Sequence, residues 1–205
     1  TQVDNVLDMV GESGLTLVGY EQGFLRHGGE DAGKRDAAVE LAQHADVVIA
    51  CLALDEIAES EGADRRNMRL NDNQGELLHA ISQVNPNVVV LLSAGSCVET
   101  DWVADARAVL YLALGGQAGA GAALDLVCGR TNPSGKLTET WPKRLADTPT
   151  AGRFPAQGMS AEYREGIYVG YRYYQTAGVD VAYPFGYGLS YTSFSYSDLK
   201  ATPES

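Results

Sequence analysis

Cysteine and histidine are scarce in this 205-residue sequence, which has three of each. The cysteines lie far apart and form no CxxC pair, so neither a disulfide framework nor a zinc signature is expected. Isolated thiols of this kind are typical of small apolar fillers in a reducing compartment, which favours a cytoplasmic location. For the histidines, surface or helix positions are favoured over a shared metal site. The residues concerned are Cys51, Cys97, Cys128, His27, His44 and His79.

Positive charge is also in short supply, since 15 Lys and Arg residues face 27 Asp and Glu residues and the net charge is -12. A nucleic-acid-binding protein needs a basic face, and so does a protein that docks on anionic lipid. No apolar run reaches the length of a membrane span. We therefore expect neither a nucleic acid nor a membrane as a partner.

Apolar strands and helical segments alternate through most of the chain. The hydrophobic content of 45% is enough for a sizeable core, and the length suits one domain with an appended piece. Apolar strands separated by helices predict an α/β fold, a three-layer α/β/α sandwich with a mainly parallel sheet. The predicted strands cover residues 15–20, 46–54, 87–92 and 108–113. The predicted helices cover 31–44, 73–84 and 117–128, the last ended by Gly129.

The amino-acid composition changes after about residue 130. Residues 163–196 form an aromatic-rich region with most of the eleven tyrosines, which we predict to be extended. We divide the chain into a sandwich domain over 1–180 and an extended C-terminal segment over 181–205 that packs on it. The tyrosines could stack on a sugar or on a neighbouring domain, or they could pack the tail onto its own sheet.

The stretch from Glu59 to Arg65 directly follows the predicted strand over 46–54, with the sequence Glu-Ser-Glu-Gly-Ala-Asp-Arg. Ligands bind where loops leave the carboxyl ends of strands in open α/β sheets. A glycine allows the backbone to turn sharply, and the neighbouring Asp64 and Arg65 can fix a loop by a charge-assisted bond. The pattern indicates acid/base work by a carboxyl group, and the alternative is a solvated acidic loop.

Several sequence motifs, in the order in which they occur, resemble the second domain of glycoside hydrolase family 3, the β-glucosidase and β-xylosidase family. The departures from the family pattern are Asn71, where the family usually has proline, and Gly115-Gly116-Gln117, where it often has Pro-Gly-Gln. The matching motifs cover residues 45–49, 61–65, 70–74, 129–137, 165–174 and 184–192.

This resemblance implies a second domain that works beside a (β/α)8 barrel, with the active site between the two. The barrel would supply an aspartate nucleophile, and Glu61 would be the general acid/base. Glu59 is the nearest competitor and Glu56 a more distant one, and Glu59, Asp64 and Arg65 would bind substrate or support the loop. A fibronectin-like domain usually follows.

The implied reaction is hydrolysis of terminal non-reducing β-D-glucosyl residues, with retention and without a cofactor. The substrate would be a β-glucoside or a short oligosaccharide. Without the barrel the chain would lack the nucleophile, so we expect it to be inactive on its own.

Two hypotheses from other functional classes compete with the prediction of an enzyme domain. One is a non-catalytic carbohydrate-binding or scaffolding domain of a β-xylosidase-like enzyme, which the aromatic tail weakly favours. The other is a nucleotide-binding domain, suggested by the glycine-rich run over 115–121. That run lacks the Lys-Ser/Thr of a P-loop and matches the dinucleotide fingerprint poorly, so close packing of a small-residue helix explains it better.

Overall fold

A computed structural model describes residues 3–156 and 158–202. The α-helices are α1 (Val6–Met9), α2 (Ala32–Ala42), α3 (Asp72–Ser82), α4 (Gly119–Val127) and α5 (Tyr171–Ala177), and the strands are β1 (Val48–Ala53), β2 (Val88–Ser93), β3 (Ala108–Tyr111), β4 (Trp141–Pro142) and β5 (Val181–Tyr183). Short 3-10 helices lie at Val10–Glu12, Asp101–Asp105 and Leu145–Asp147.

The main sheet has three parallel strands in the order β1-β2-β3. Cys51 is paired with Leu91, and Leu91 with Leu110, so the three strands run in step. Their carboxyl ends therefore meet at one edge of the sheet, where α/β proteins place their ligand-binding loops.

The main core lies on one face of this sheet. Because side chains alternate along a strand, Val88, Val90 and Leu92 share a face. All three are fully buried and pack in one cluster with side chains of α2 and α3, among them Leu78. Burial of a leucine of this kind stabilises a fold by roughly 1.5–3 kcal/mol.

The opposite face of the sheet is covered as well. Alternation turns Leu91 away from the main cluster, yet only 2% of Leu91 is exposed. Ala123 and Leu124 of α4 are also buried outside that cluster, and α4 contacts α1. The predicted α/β sandwich with a parallel sheet is therefore confirmed.

Helix boundaries follow from local chemistry. Asp31 caps α2, because its side chain accepts a hydrogen bond from the Lys34 amide at 3.1 Å. Gly129 ends α4 with a left-handed φ of 70°, and its amide donates to the Leu126 carbonyl, as predicted for a glycine stop. Gly121 lies close to Met9 of α1, since a Cβ there would be 3.3 Å from the Met9 Cε atom.

The predicted strand over residues 15–20 is wrong. The segment pairs with no strand among the described residues, and Leu17 and Val18 are half exposed. It lies against α2, where a Cβ on Gly19 would come within 2.9 Å of the Leu41 Cδ1 atom. The apolar pattern is that of a strand, but a strand forms only where a neighbour receives its backbone groups.

The aromatic-rich region is not extended throughout, because α5 lies within it. Gly170 and Gly178, both with a positive φ, bracket this helix, and Tyr174 anchors it with 7% of its surface exposed. Part of the tail packs on the sheet through Trp141, whose ring makes edge contacts with Tyr111 at 5.0 Å and with Tyr183 at 6.2 Å. Other aromatic side chains of the region remain exposed, including Tyr163 and Tyr196.

The histidines lie where the sequence predicts them, but Cys51 does not. Cys51 is exposed and Cys97 and Cys128 are half-buried, so the prediction that Cys51 fills the core is wrong. Cys51 is on an outer strand of the sheet, on the face opposite the main core. The histidines lie on the surface or on a helix, as predicted. No helix among the described residues combines the length and apolar character that crossing a membrane requires.

Candidate active site

A loop over residues 54–71 leaves β1 at the carboxyl edge of the sheet. It contains the four predicted site residues, Glu59, Glu61, Asp64 and Arg65. It begins with a hydrogen bond from the Leu54 amide to the Ser93 carbonyl at 3.1 Å, which continues the β1–β2 pairing by one residue. The loop is therefore rooted in two parallel strands before it departs.

Asp55 organises the first turn of the loop. Its Oδ1 atom accepts hydrogen bonds from the Ala58 amide at 2.8 Å and the Ile57 amide at 3.1 Å. Its Oδ2 atom accepts a hydrogen bond from the Asn71 side-chain Nδ2 at 3.3 Å and is 3.4 Å from His27 Nδ1. These bonds, led by that from Ala58, hold the pKa of Asp55 below its usual value.

The lowered pKa of Asp55 predicts a contribution to stability that is present at neutral pH and lost in acid. A depressed carboxyl pKa stabilises the fold above the unfolded value, about 3.9, and this contribution is lost as the pH falls through the folded value. Asp55→Asn is expected to lose about 1–2 kcal/mol of unfolding free energy at pH 7. It should also show a flatter dependence of stability on pH below about pH 4 than the wild type. Urea unfolding of the chain between neutral and acidic pH measures both.

Asp36→Asn is the matched control, because 74% of the Asp36 side chain is exposed and its ion-pair neighbour is the adjacent Arg35. Its stability curve should follow that of the wild type. An Asp55→Asn curve that runs parallel to the wild-type curve into acid would contradict the role given to Asp55.

The two competing glutamates are both engaged. Glu56 forms an ion pair with Arg26 at 2.7 Å and lies 3.7 Å from His27. Glu59 Oε1 accepts a hydrogen bond at 2.5 Å from the amide of Gly95, two residues past the end of β2. A Cβ at Gly95 would be 2.8 Å from this oxygen, so glycine lets the carboxylate approach the backbone. Glu59 thus ties the loop to the sheet edge.

Glu61 is at the exposed tip of the loop. The Ala63 amide donates to the Ser60 carbonyl at 3.4 Å, which closes a four-residue turn with Glu61 and Gly62 at its centre. Gly62 has a φ of 79°, as the third residue of a type II turn requires. Among the described residues the Glu61 carboxylate has no hydrogen-bond or ion-pair partner, so it is available to an incoming group.

Arg65 holds the far end of the turn. Its Nη1 donates to Ser96 Oγ at 2.7 Å and its Nη2 to the Cys97 carbonyl at 3.2 Å. Asp64 makes no hydrogen bond within the described residues and lines a small cavity below the loop. The turn carrying Glu61 is therefore held at both ends by the segment that follows β2, with Glu59 on one side and Arg65 on the other.

Two neighbouring side chains at the sheet edge, Cys97 and Tyr111, are neutral near pH 7. Burial raises the pKa of the Cys97 thiol to about 11, with Glu139 adding to the effect and Arg65 opposing it. Burial also raises the pKa of Tyr111, whose hydroxyl donates to the Ala94 carbonyl at 2.9 Å. Neither side chain supplies an anion, so the ionisable chemistry at this edge is left to the carboxyl groups.

The cavity beneath the loop is smaller than the usual ligand pocket. It encloses about 200 Å³ between the end of β1 and residues 64–71, whereas ligand pockets are usually of about 300–1,000 Å³. Within residues 3–156 and 158–202, no three His, Cys, Asp or Glu side chains are grouped so that they could hold a metal ion. A complete glycoside pocket at Glu61 thus requires walls that these residues do not supply.

Two residues that position the loop were missed by the functional prediction. Gln74 of α3 is 1% exposed and bonds both backbone groups of Ala53, accepting from its amide and donating to its carbonyl at 2.9 Å each. Asp55 is the other. An aspartate at a strand end two residues before an amide that it can bond is typical of a local turn and could have indicated its role. Asn71, which departs from the family pattern, donates to the Arg26 carbonyl and to Asp55.

Comparison with known proteins gives consistent similarities. A sequence model of the glycosyl hydrolase family 3 C-terminal domain matches residues 3–191. Thermostable β-glucosidase B of Acetivibrio thermocellus is 41% identical over an alignment of 203 positions, which covers 97% of this chain and 27% of that protein. An exo-α-(1→6)-L-arabinopyranosidase of Bifidobacterium breve is 40% identical over 97% of this chain and 26% of its own length. The chain thus spans about a quarter of these relatives.

Solved structures agree with the sequence matches. The GH3 β-glucosidase of Bifidobacterium adolescentis superposes with a TM-score of 0.89 at 41% identity, over 94% of this chain and 29% of that one. The β-glucosidase of Kluyveromyces marxianus in complex with glucose superposes with a TM-score of 0.79 at 39% identity, over 84% of this chain and 21% of that one.

Proposed function

Since the chain belongs to the C-terminal domain family of glycosyl hydrolase family 3, we propose that it supplies the general acid/base, Glu61, to a retaining β-glucosidase. The nucleophile is an aspartate on a barrel domain that faces this loop. The observation that carries the proposal is the difference between three neighbouring glutamates. Glu56 and Glu59 are engaged in ion pairs or backbone hydrogen bonds, whereas Glu61 is exposed and has no partner among the described residues, at the tip of a turn held at both ends.

The proposed chemistry is double displacement. The barrel aspartate attacks the anomeric carbon while protonated Glu61 donates its proton to the glycosidic oxygen, and the bond from that oxygen to the sugar breaks. Glu61, now a carboxylate, takes a proton from water as the water attacks the anomeric carbon and releases the aspartate. Retention places the two carboxyl groups about 5–5.5 Å apart, so the loop tip must reach toward the barrel.

The remaining loop residues serve this geometry. Arg65 and Glu59 fix the turn to the segment after β2, so that Glu61 can be held within the narrow distance that proton transfer needs. The small cavity beneath the loop supports a division of labour in which the barrel supplies most of the sugar pocket. For the same reason we expect the 205-residue chain alone to leave aryl β-glucosides unhydrolysed.

Azide tests the assignment by the product that it forms. In an enzyme that joins this chain to its barrel, Glu61→Gln should accumulate the glycosyl ester of the nucleophile from 2,4-dinitrophenyl β-glucoside, because that leaving group departs without a proton whereas no base activates the water that hydrolyses the ester. Added azide needs no base, so it should attack the anomeric carbon, displace the aspartate and give the β-glucosyl azide. Product analysis by NMR and the turnover rate with and without azide are the measurements.

Glu59→Gln is the matched control for the azide test. This substitution weakens the bond to Gly95 but leaves the acid/base group in place, so azide should neither accelerate turnover nor yield the azide adduct. Formation of the β-glucosyl azide by Glu59→Gln and not by Glu61→Gln would exchange the two roles. Formation by neither variant would favour a non-catalytic loop.

The sugar at the cleaved bond is a separate question from the acid/base. Relatives of nearly equal identity, 41% and 40%, are named as a β-glucosidase and an α-L-arabinopyranosidase. We therefore propose that sugar choice belongs to the barrel side of the pocket and that this domain serves more than one glycoside. Rates of the joined enzyme on p-nitrophenyl β-D-glucoside and p-nitrophenyl α-L-arabinopyranoside decide between the two substrates.

A further inference from the structure

A second cleft lies beside the candidate site and is absent from the proposed chemistry. It encloses about 350 Å³ between the Thr138–Pro142 segment, residues 148–150 and the start of α5. This volume is within the range of about 300–1,000 Å³ that is usual for ligand pockets. Cys97 lines it and also accepts the Arg65 hydrogen bond, so the cleft and the Glu61 loop share a wall.

One side of the cleft is aromatic. Phe185 and Tyr171 pack against each other with ring centroids 5.2 Å apart and an angle of 30°. Arg172 covers Tyr171 at 5.3 Å from its centroid, while 53% of Phe185 remains exposed. The Phe185 backbone is fixed by a hydrogen bond from its amide to Thr140 Oγ1 at 3.3 Å. Phe185 thus offers a ring face to a flat apolar surface.

The other side of the cleft is rich in oxygen. Glu139 and Glu165 line it together with four threonines, and no Lys or Arg is among the lining residues. Neither carboxylate has an ion-pair or side-chain hydrogen-bond partner in the part of the chain that the structure describes. Their oxygens are therefore acceptors without a donor, and an anionic ligand would meet two like charges.

We propose that this cleft binds a neutral pyranose sugar, stacked on Phe185 with hydroxyls donated to Glu139 and Glu165. A sugar ring combines the features that the two walls require: an apolar C–H face for the aromatic ring and O–H donors at its edge for the carboxylates. An apolar segment of another domain would satisfy the aromatic wall but would leave the two carboxylates desolvated and unpaired. The proposal concerns a site separate from Glu61 and does not depend on its catalytic role.

NMR titration of the ¹⁵N-labelled 205-residue chain with cellobiose tests the proposal. We expect amide shifts at Thr140, Tyr171 and Phe185 rather than in the loop over 59–67. Phe185→Leu, which keeps an apolar side chain but removes the ring, should weaken the fitted Kd about tenfold. Glu165→Gln, which keeps the shape but removes the charge, should weaken it about fivefold. Glucuronic acid should bind more weakly than glucose.

Matched controls are Tyr196→Leu and Glu162→Gln, since Tyr196 is 92% exposed and neither residue lines the cleft. Both should bind cellobiose like the wild type. The proposal is overturned if the wild type shows no shifts at about 50 mM cellobiose, if shifts are confined to the loop over 59–67, or if Phe185→Leu and Glu165→Gln bind unchanged. Equal binding of glucuronic acid would overturn the neutral-ligand assignment.

Discussion

Glu61→Gln is expected to lower kcat/KM for methyl β-glucoside about 10³–10⁴-fold in an enzyme that joins this chain to its barrel. The loss on 2,4-dinitrophenyl β-glucoside should be far smaller for the glycosylation step. Methoxide is a poor leaving group and must be protonated as the bond breaks, whereas dinitrophenolate departs without a proton. The ratio of the two losses therefore isolates the acid role from binding, because both substrates place the same sugar in the pocket.

Glu59→Gln provides the internal comparison for this ratio. The Glu59 carboxylate is 2.5 Å from the Gly95 amide nitrogen, and its loss should loosen the turn that carries Glu61. A displaced acid/base slows both substrates through misplacement, so any loss should be less dependent on the leaving group than that of Glu61→Gln. Equal losses on both substrates for Glu61→Gln, measured as kcat/KM, would contradict the assignment of Glu61 as the acid.

Gln74→Leu is expected to lower the free energy of unfolding by about 2–4 kcal/mol. β1 is an outer strand of the described sheet, so the backbone groups of Ala53 that face away from β2 have no strand neighbour. The Gln74 side chain bonds both groups at 2.9 Å in a setting where only 1% of it is exposed. Leucine would fill much of the same space but would leave a buried amide and a buried carbonyl without partners.

Urea unfolding of the chain measures this loss, with Gln83→Leu as the control. Gln83 follows the same helix, α3, and is exposed, so its replacement should change stability by less than about 0.5 kcal/mol. Hydrogen exchange gives a second readout, because the loop from residue 54 onward should open more often in Gln74→Leu. A loss no greater than that of Gln83→Leu would show that the Ala53 bonds contribute little.

Sequence patterns predicted the strands and helices well where a segment is stabilised by local interactions or by packing of its apolar face on the core. The strand over 46–54 and the helix over 73–84 formed with ends shifted by one or two residues, because their apolar faces match the core. The strand over 15–20 failed since apolar character indicates burial or pairing but does not supply the neighbour. The helix α5 was missed because two glycines with a positive φ set its ends in an otherwise irregular aromatic region.

The candidate site was only partly predictable. Motif and position selected the loop over 59–65, and a turn with a glycine in it was expected from Gly62. The distinction between Glu59 and Glu61 rests on a contact with Gly95, 36 residues further along the chain, which no local pattern contains. The same holds for Arg65, whose partners at Ser96 and Cys97 become neighbours only because β1 and β2 are adjacent.

The two attachments on either side of the Glu61 turn give that loop a modular character. Glu59 and Arg65 are both fastened to residues 95–97, so the five residues between them form a handle whose base is fixed by the sheet edge. Because both ends of the handle are fixed, each inserted residue could extend its reach by at most about half of the 3.3 Å that one extended residue spans, without disturbing either attachment. Descendants of such a domain could therefore adapt to barrels of different depth by changing the handle length alone, while the folded body stays the same.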